Sequence, residues 1–153
     1  MGFVEAVRTC LFRKFFQFRG RAARAEYWWF VVFGALLTGA AALAGTEQLA
    51  YLVAAVLFLP QLSVTARRLH DTDRSAWWVL LLAPGWLDSL SYRFFPEEVW
   101  TESLVFFLGL LIAGLVLFWF MVQKGDAGEN RFGPDPVPDT VLGIHGPPPR
   151  NDG

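Results

Sequence analysis

The residues most able to do chemistry lie in a polar stretch that follows a long apolar run. Residues 65–78 read TARRLHDTDRSAWW. If a helix continues into this stretch, Arg67, His70 with Asp71, and Arg74 share one helical face at three- and four-residue spacing. Because guanidinium groups pair with phosphate oxygens through two parallel hydrogen bonds, this face is suited to an anion such as a phosphate headgroup.

A structural role explains the same residues without any ligand. Arg67 and Arg68 would then end an apolar segment, and Asp71 would pair with one of them. Ser75 would cap the helix that follows. One imidazole and two carboxylates without a second histidine make a poor transition-metal site, so we predict no metal and no cofactor.

A second polar motif, residues 20–29, precedes the first long apolar segment. Arg21 and Arg24 lie three residues apart and are followed by Glu26 and an aromatic trio. An acid so close to an apolar segment needs a partner, and an arginine of the central stretch is the natural candidate.

The third motif, residues 125–136, is rich in glycine and proline, which indicates a fixed turn rather than a helix. If the three motifs lie on one side of a membrane, they converge into a polar layer that binds an anionic phospholipid headgroup or a protein partner. The predicted binding residues of this layer are Arg21, Arg24, Glu26, Arg67, Arg68, His70, Asp71, Arg74, Asn130 and Arg131.

Composition predicts the elements that position these motifs. Of 153 residues, 54% are hydrophobic and 18% are charged, which is too apolar for a soluble domain of this size. We therefore predict an all-α integral membrane protein with a four-helix bundle over residues 27–124. The predicted spans are residues 27–44, 49–66, 76–95 and 103–122. A short re-entrant piece is the alternative for the third span, since it contains Pro84-Gly85 and Asp88.

Charge placement predicts the orientation of this bundle. With four crossings, twelve of the thirteen Lys and Arg residues lie on one side, together with nine of the fourteen acids. The other side has one basic and five acidic residues, so the net charge of -1 divides into +3 and -4. The positive-inside rule then places both termini in the cytoplasm of a bacterial inner membrane. A net charge near zero gives no support for nucleic-acid binding.

The two ends of the chain are predicted to differ. Residues 1–26 form a basic amphipathic segment, helical and lying at the membrane interface. Its polar stripe consists of Glu5, Thr9, Arg13 and Gln17. Its apolar side consists of Phe3, Val7, Leu11, Phe15 and Phe18. The proline-rich residues 137–153 cannot sustain a helix and are predicted to be disordered.

Polar and small residues inside the predicted spans support a second hypothesis. Gln61 and Asp88 are the intramembrane polar residues, and an ionisable group at that depth is a candidate for transport. Gly34, Thr38 and Ala42 recur every four residues and favour close packing, within one bundle or between two copies. The alternative function is therefore a small-solute or ion transporter or channel that acts as an oligomer. The sequence contains no known catalytic motif, so we predict that the chain is not an enzyme.

Together, the three motifs resemble those of the DUF805 family, which consists of small bacterial inner-membrane proteins of uncharacterised function. The resemblance rests on residues 18–29, 67–78 and 128–136 and covers about residues 12 to 136. Asp73 and Ala76 stand where the family pattern usually looks like glycine. The resemblance implies a membrane location and four spans, and it implies no activity.

Overall fold

The computed structural model describes residues 1–44, 47–85, 87 and 104–137, and the regular elements in these ranges are helices. The chain starts with α1 (Phe3–Arg8), which continues as a π-helical turn (Thr9–Arg13). The long helices α2 (Arg24–Leu43) and α3 (Glu47–His70) follow. A 3₁₀ helix (Ala76–Leu82) comes next, and α4 (Leu104–Val122) is the last helix of the described ranges. The predicted all-α class is confirmed.

The predicted spans correspond to these helices to different degrees. By length and composition, α2 and α3 are long and apolar enough to cross a membrane. The predicted span 103–122 coincides with α4, whose apolar part Phe106–Val122 is shorter. Of the predicted span 76–95, the structure describes the apolar helical part Ala76–Gly85. Asp88 and residues 138–153 lie outside the described residues, so the expectations on them stay predictions.

α2 and α3 pack against each other in opposite directions. The backbone N–H of Ala22, just before α2, donates to the carbonyl of Arg67 near the end of α3 at 3.0 Å. Phe30 and Leu57 belong to the buried apolar core between the two helices. A Cβ at Gly34 would lie 3.8 Å from Cδ1 of Leu57, so the small residue of α2 faces α3. At this position the predicted small-residue stripe serves the chain's own bundle.

The segment after the central motif runs back along α4. Ser75 caps the 3₁₀ helix as predicted, since its hydroxyl oxygen accepts a hydrogen bond from the backbone N–H two residues later at 3.4 Å. The rings of Trp78 and Phe120 then meet edge to face with centroids 5.2 Å apart. A Cβ at Gly85 would lie 3.2 Å from Cδ1 of Leu110. Phe120 and Leu110 are separated by about 15 Å along α4, so residues 76–85 run antiparallel to roughly half of that helix.

The N-terminal segment differs from the amphipathic helix that its sequence predicts. The helix ends at Arg13, and Thr9 of the predicted polar stripe is buried beside Cys10. Phe12 and Phe16 are exposed. The π-helical turn inserts an extra residue into the helix and shifts the phase of the 3.6-residue pattern for the helical residues that follow Thr9.

Candidate functional site

The three polar motifs meet at the end of the bundle where α2 begins and where α3 and α4 end. Arg24 Nη1 donates to the carbonyl of Val122 at the end of α4 at 3.5 Å. The backbone N–H of Asp126 donates to the carbonyl of Asp71 at 2.8 Å. We call the layer that these contacts join the polar cap, and it consists of residues 20–26, 67–75 and 123–133.

Asp71 is the centre of the polar cap. Its carboxylate accepts hydrogen bonds from Arg21 Nε at 2.9 Å and from Arg68 Nη1. All three side chains are at most 5% exposed. The other nitrogens of Arg21 donate to the carbonyls of Asp126 and Gly128. All three guanidinium nitrogens of Arg21 therefore donate hydrogen bonds within the chain.

The side chain of Arg68 caps the C-terminal end of α4. Its Nε donates to the carbonyl of Met121 at 3.1 Å, and its Nη2 donates to the carbonyl of Gln123. The last carbonyls of a helix have no partner within it, so a cation from α3 satisfies them and interacts favourably with the helix dipole. Burial raises the pKa of the Asp71 carboxyl, and Arg21 and Arg68 limit that rise. The charge on Asp71 thus depends on both arginines.

Gly125 lets the turn after α4 approach the Asp71 carboxylate. A Cβ at this position would lie 2.6 Å from Cγ and 2.9 Å from Oδ1 of Asp71. These separations are shorter than van der Waals contact, so any side chain at position 125 has to displace the carboxylate. Glycine is required at position 125 because the backbone passes so close to the Asp71 carboxylate, and this holds whatever the φ angle of Gly125.

A second buried ion pair joins the motif at residues 20–29 to the central one. Arg67 Nη1 donates to Oε1 of Glu26, and Lys14 Nζ is 3.9 Å from Oε2 of the same carboxylate. The prediction that an arginine of the central motif pairs with Glu26 is confirmed. The Cys10 thiol lies 3.9 Å from Oε1 of Glu26. Burial and the nearby Glu26 charge raise the pKa of Cys10 to about 11, so this thiol is protonated at neutral pH.

His70 and Asn130 are held in the packing between the motifs. His70 Nδ1 donates to the carbonyl of Gly20 at 3.1 Å. The imidazole stacks on Phe132 with centroids 3.9 Å apart and planes inclined by 5°. Asn130 Nδ2 donates to the carbonyl of His70 at 2.8 Å. Both side chains therefore hold the third motif against the second.

The edge of the polar cap carries an exposed ion pair. Arg131 Nε lies 2.9 Å from Oδ1 of Asp73, and the two side chains are 61% and 47% exposed. Asp73 has φ 52°, in the left-handed region that favours glycine. The guanidinium of Arg74 lies 4.2 Å above the Phe120 ring, which ties the central motif to α4.

The structure thus places every predicted cap residue in one layer but gives the residues different roles. Arg21, Glu26, Arg67, Arg68 and Asp71 pair internally, whereas Arg24 and Arg131 are exposed. Within the described ranges, no three His, Cys, Asp or Glu side chains cluster so as to hold a metal ion. The sequence reasoning missed four contributors, which are Cys10, Lys14, Gly125 and Phe132. Phe132 and Gly125 lie in the third motif, but nothing in the local sequence singles out Cys10.

The first two motifs and all but the last two residues of the third fall within the match to a known family. A family described as "Protein of unknown function (DUF805)" matches residues 15–134. The chain belongs to the DUF805 family. The family match therefore covers the region from just before the motif at residues 20–29 to the third motif.

Three relatives from Escherichia coli show how far this likeness extends. The inner membrane protein YhaH is 38% identical over 134 residues, which cover 81% of this chain and 90% of YhaH. The inner membrane protein YhaI is 35% identical over 130 residues, covering 81% of this chain and 89% of YhaI. The uncharacterized protein YiiR is 31% identical over 125 residues, covering 78% of this chain and 86% of YiiR. No solved structure matches the chain.

Proposed function

We propose that this DUF805 protein is a non-enzymatic, multi-pass inner-membrane protein whose polar cap lies at the cytoplasmic surface and binds anionic phospholipid headgroups. The names of YhaH and YhaI, both called inner membrane proteins, support the location. The helices expose large apolar side chains, among them Leu36 on α2, Leu52 on α3 and Ile112 on α4. Apolar faces of this extent suit contact with lipid rather than with water.

The course of the chain supports four crossings. Because α3 and α4 both end at the polar cap, the chain between them has to return to the opposite end of the bundle. Residues 76–85 already run along roughly half of α4. A crossing by residues 76–95 completes this path, leaves both termini on the side of the cap and keeps the basic residues there.

The contrast between buried and exposed cations carries the headgroup proposal. Arg21, Arg67 and Arg68 point inward and hold the cap together. A separate set of exposed cations lies in the cap or in the segment before it and forms no ion pair with a described carboxylate, namely Arg13, Arg19, Arg24 and Lys124. Exposed aromatic residues accompany them, namely Phe12, Phe16 and Trp77. Cations next to aromatic rings are typical of the headgroup level, where each cation gains about 1 kcal/mol near an anionic leaflet.

A cavity of about 500 Å³ beside the start of α2 is less suited to an anion. Its wall includes the acids Glu5, Glu26 and Asp135 against the cations Lys14 and Arg21. Carboxylates facing the cavity would repel a phosphate, so the exposed cations are the better binding site.

Native mass spectrometry of the purified full chain tests headgroup binding. We expect phosphatidylglycerol to stay bound to the wild type and to be lost from Arg24→Gln/Lys124→Gln, because that variant removes two exposed cations that no described carboxylate neutralises. Arg131→Gln is the matched control, since its cation is already paired with Asp73. Equal lipid retention by all three proteins would contradict the proposal.

Cysteine labelling tests the orientation separately. In a Cys10→Ser background, Glu98→Cys and Glu129→Cys each provide a single thiol on opposite predicted sides. A membrane-impermeant maleimide should label Glu98→Cys in cells with a permeabilised outer membrane, and Glu129→Cys only after the inner membrane is opened. The reverse labelling pattern would overturn the proposed orientation.

A further inference from the structure

A cavity of about 520 Å³ lies between α2, α3 and α4, below the polar cap. This volume is within the range of about 300–1,000 Å³ that ligand pockets occupy in proteins. Small residues on three helices open the space, with Gly34 on α2, Ala54 on α3 and Gly114 on α4. A Cβ at Gly114 would meet no atom within 4 Å, so the wall is open at that point.

Gln61 gives this apolar cavity a specific polar group. Its Nε2 makes one long hydrogen bond, to Thr65 Oγ1 at 3.5 Å, while the Thr65 hydroxyl donates to the backbone carbonyl of Gln61 at 2.7 Å. Within the part of the chain that the structure describes, no donor reaches the side-chain oxygen of Gln61. The residue lies nine positions before the end of α3, about 14 Å from it. A side-chain oxygen without a donor at that depth is costly, so a ligand that donates a hydrogen bond to it is favoured.

The lining determines the chemical class of that ligand. None of the described residues that line the cavity carries a charge, which favours a neutral molecule. A side-chain amide offers both a donor and an acceptor, and a hydroxyl group complements both. Besides Gln61, the wall includes the polar side chains of Tyr27, Trp28, Thr38 and Thr65, and its other residues are apolar or small and fit a hydrocarbon chain.

We propose that the cavity binds a neutral single-chain lipid with a hydroxyl head, such as a long-chain alcohol or a prenol. The hydroxyl pairs with the Gln61 amide, and the chain passes the small residues Gly34 and Gly114. This site is separate from the exposed cations that bind headgroups, so either proposal can fail without the other.

Photolabelling of the full chain in lipid nanodiscs tests the cavity. The probe is hexadecanol that carries a diazirine and a terminal alkyne, and the matched probe is the same chain without the hydroxyl. We expect the alcohol to label peptides of α2, α3 and α4, and unlabelled hexadecanol to compete with it. Labelling spread evenly over the outer faces of the helices would overturn the site.

Two variants separate the cavity from the surrounding lipid. Gly114→Leu fills the open wall and should abolish labelling by the alcohol. Gly109→Leu is the matched control, because it adds the same side chain to the same helix at an exposed position with no atom within 4 Å. Equal labelling of the two variants would refute the cavity site. Protection of the single thiol, Cys10, from alkylation verifies that both variants are folded.

A third variant tests the recognition of the hydroxyl. Gln61→Leu should weaken capture of hexadecanol about fivefold, as expected for one lost hydrogen bond. The same change should leave capture of the hydrocarbon probe unaltered or improved. If the wild type captures both probes equally, Gln61 does not recognise a hydroxyl and the proposed ligand class is wrong.

Discussion

Replacement of Asp71 by asparagine tests whether the polar cap is held by its buried charge. Asp71→Asn keeps the shape of the side chain but leaves the buried guanidinium groups of Arg21 and Arg68 without a counter-charge. Breaking a buried pair costs about 3–5 kcal/mol. We expect about 3 kcal/mol, the lower end of that range, because both arginines keep their carbonyl partners and the asparagine oxygen still accepts a hydrogen bond.

Thermal unfolding in detergent measures this loss. The single cysteine, Cys10, is buried, so a thiol-reactive dye reports unfolding when heat exposes it. A loss of this size lowers Tm by roughly 6–12 °C for a chain of this length. Asp73→Asn is the matched control, because it makes the same change two residues away in an exposed pair worth at most about 1 kcal/mol. Equal Tm shifts for the two variants would refute a buried electrostatic centre.

Three further outcomes follow from individual positions. Gly125→Ala should destabilise the protein by about 1–3 kcal/mol, because the new methyl group meets the Asp71 carboxylate, whereas Gly109→Ala in open space should cost nothing. Asp73→Ala should be about 1 kcal/mol less stable than Asp73→Gly in urea or thermal unfolding, since both lose the ion pair but only alanine is strained at φ 52°. Cys10 has a pKa of about 11, so iodoacetamide should alkylate the folded protein at least about tenfold more slowly than the denatured chain near neutral pH, with the rate rising with pH. Equal rates would contradict its burial.

The sequence predicts the helices well because apolar length is a strong local signal, and it predicts the meeting of the motifs through the topology that charge placement indicates. The length of the apolar segments predicts α2 and α3. An acid next to an apolar segment requires a cation as partner, which predicts the pairing of Glu26 with an arginine such as Arg67. The inward direction of Arg21 and Arg68 could not be predicted, because residue types alone do not distinguish a buried guanidinium from an exposed one. The π-helical turn at Thr9–Arg13 was missed for a related reason, since one inserted residue changes which side chains are buried without changing composition.

The polar cap adjoins one end of the cavity between the helices, because Arg68 of the cap contacts the cavity-lining Met121. Met121 lines the cavity, and its backbone carbonyl accepts a hydrogen bond from Arg68. Arg68 in turn forms an ion pair with Asp71. Loss of the Asp71 charge should therefore loosen the end of α4 above the cavity, even at temperatures at which the chain remains folded. We expect Asp71→Asn to reduce photolabelling by hexadecanol at room temperature, and Arg131→Gln to leave it unchanged. If Asp71→Asn lowers Tm but labelling stays at the wild-type level, the cap stabilises the bundle without shaping the cavity.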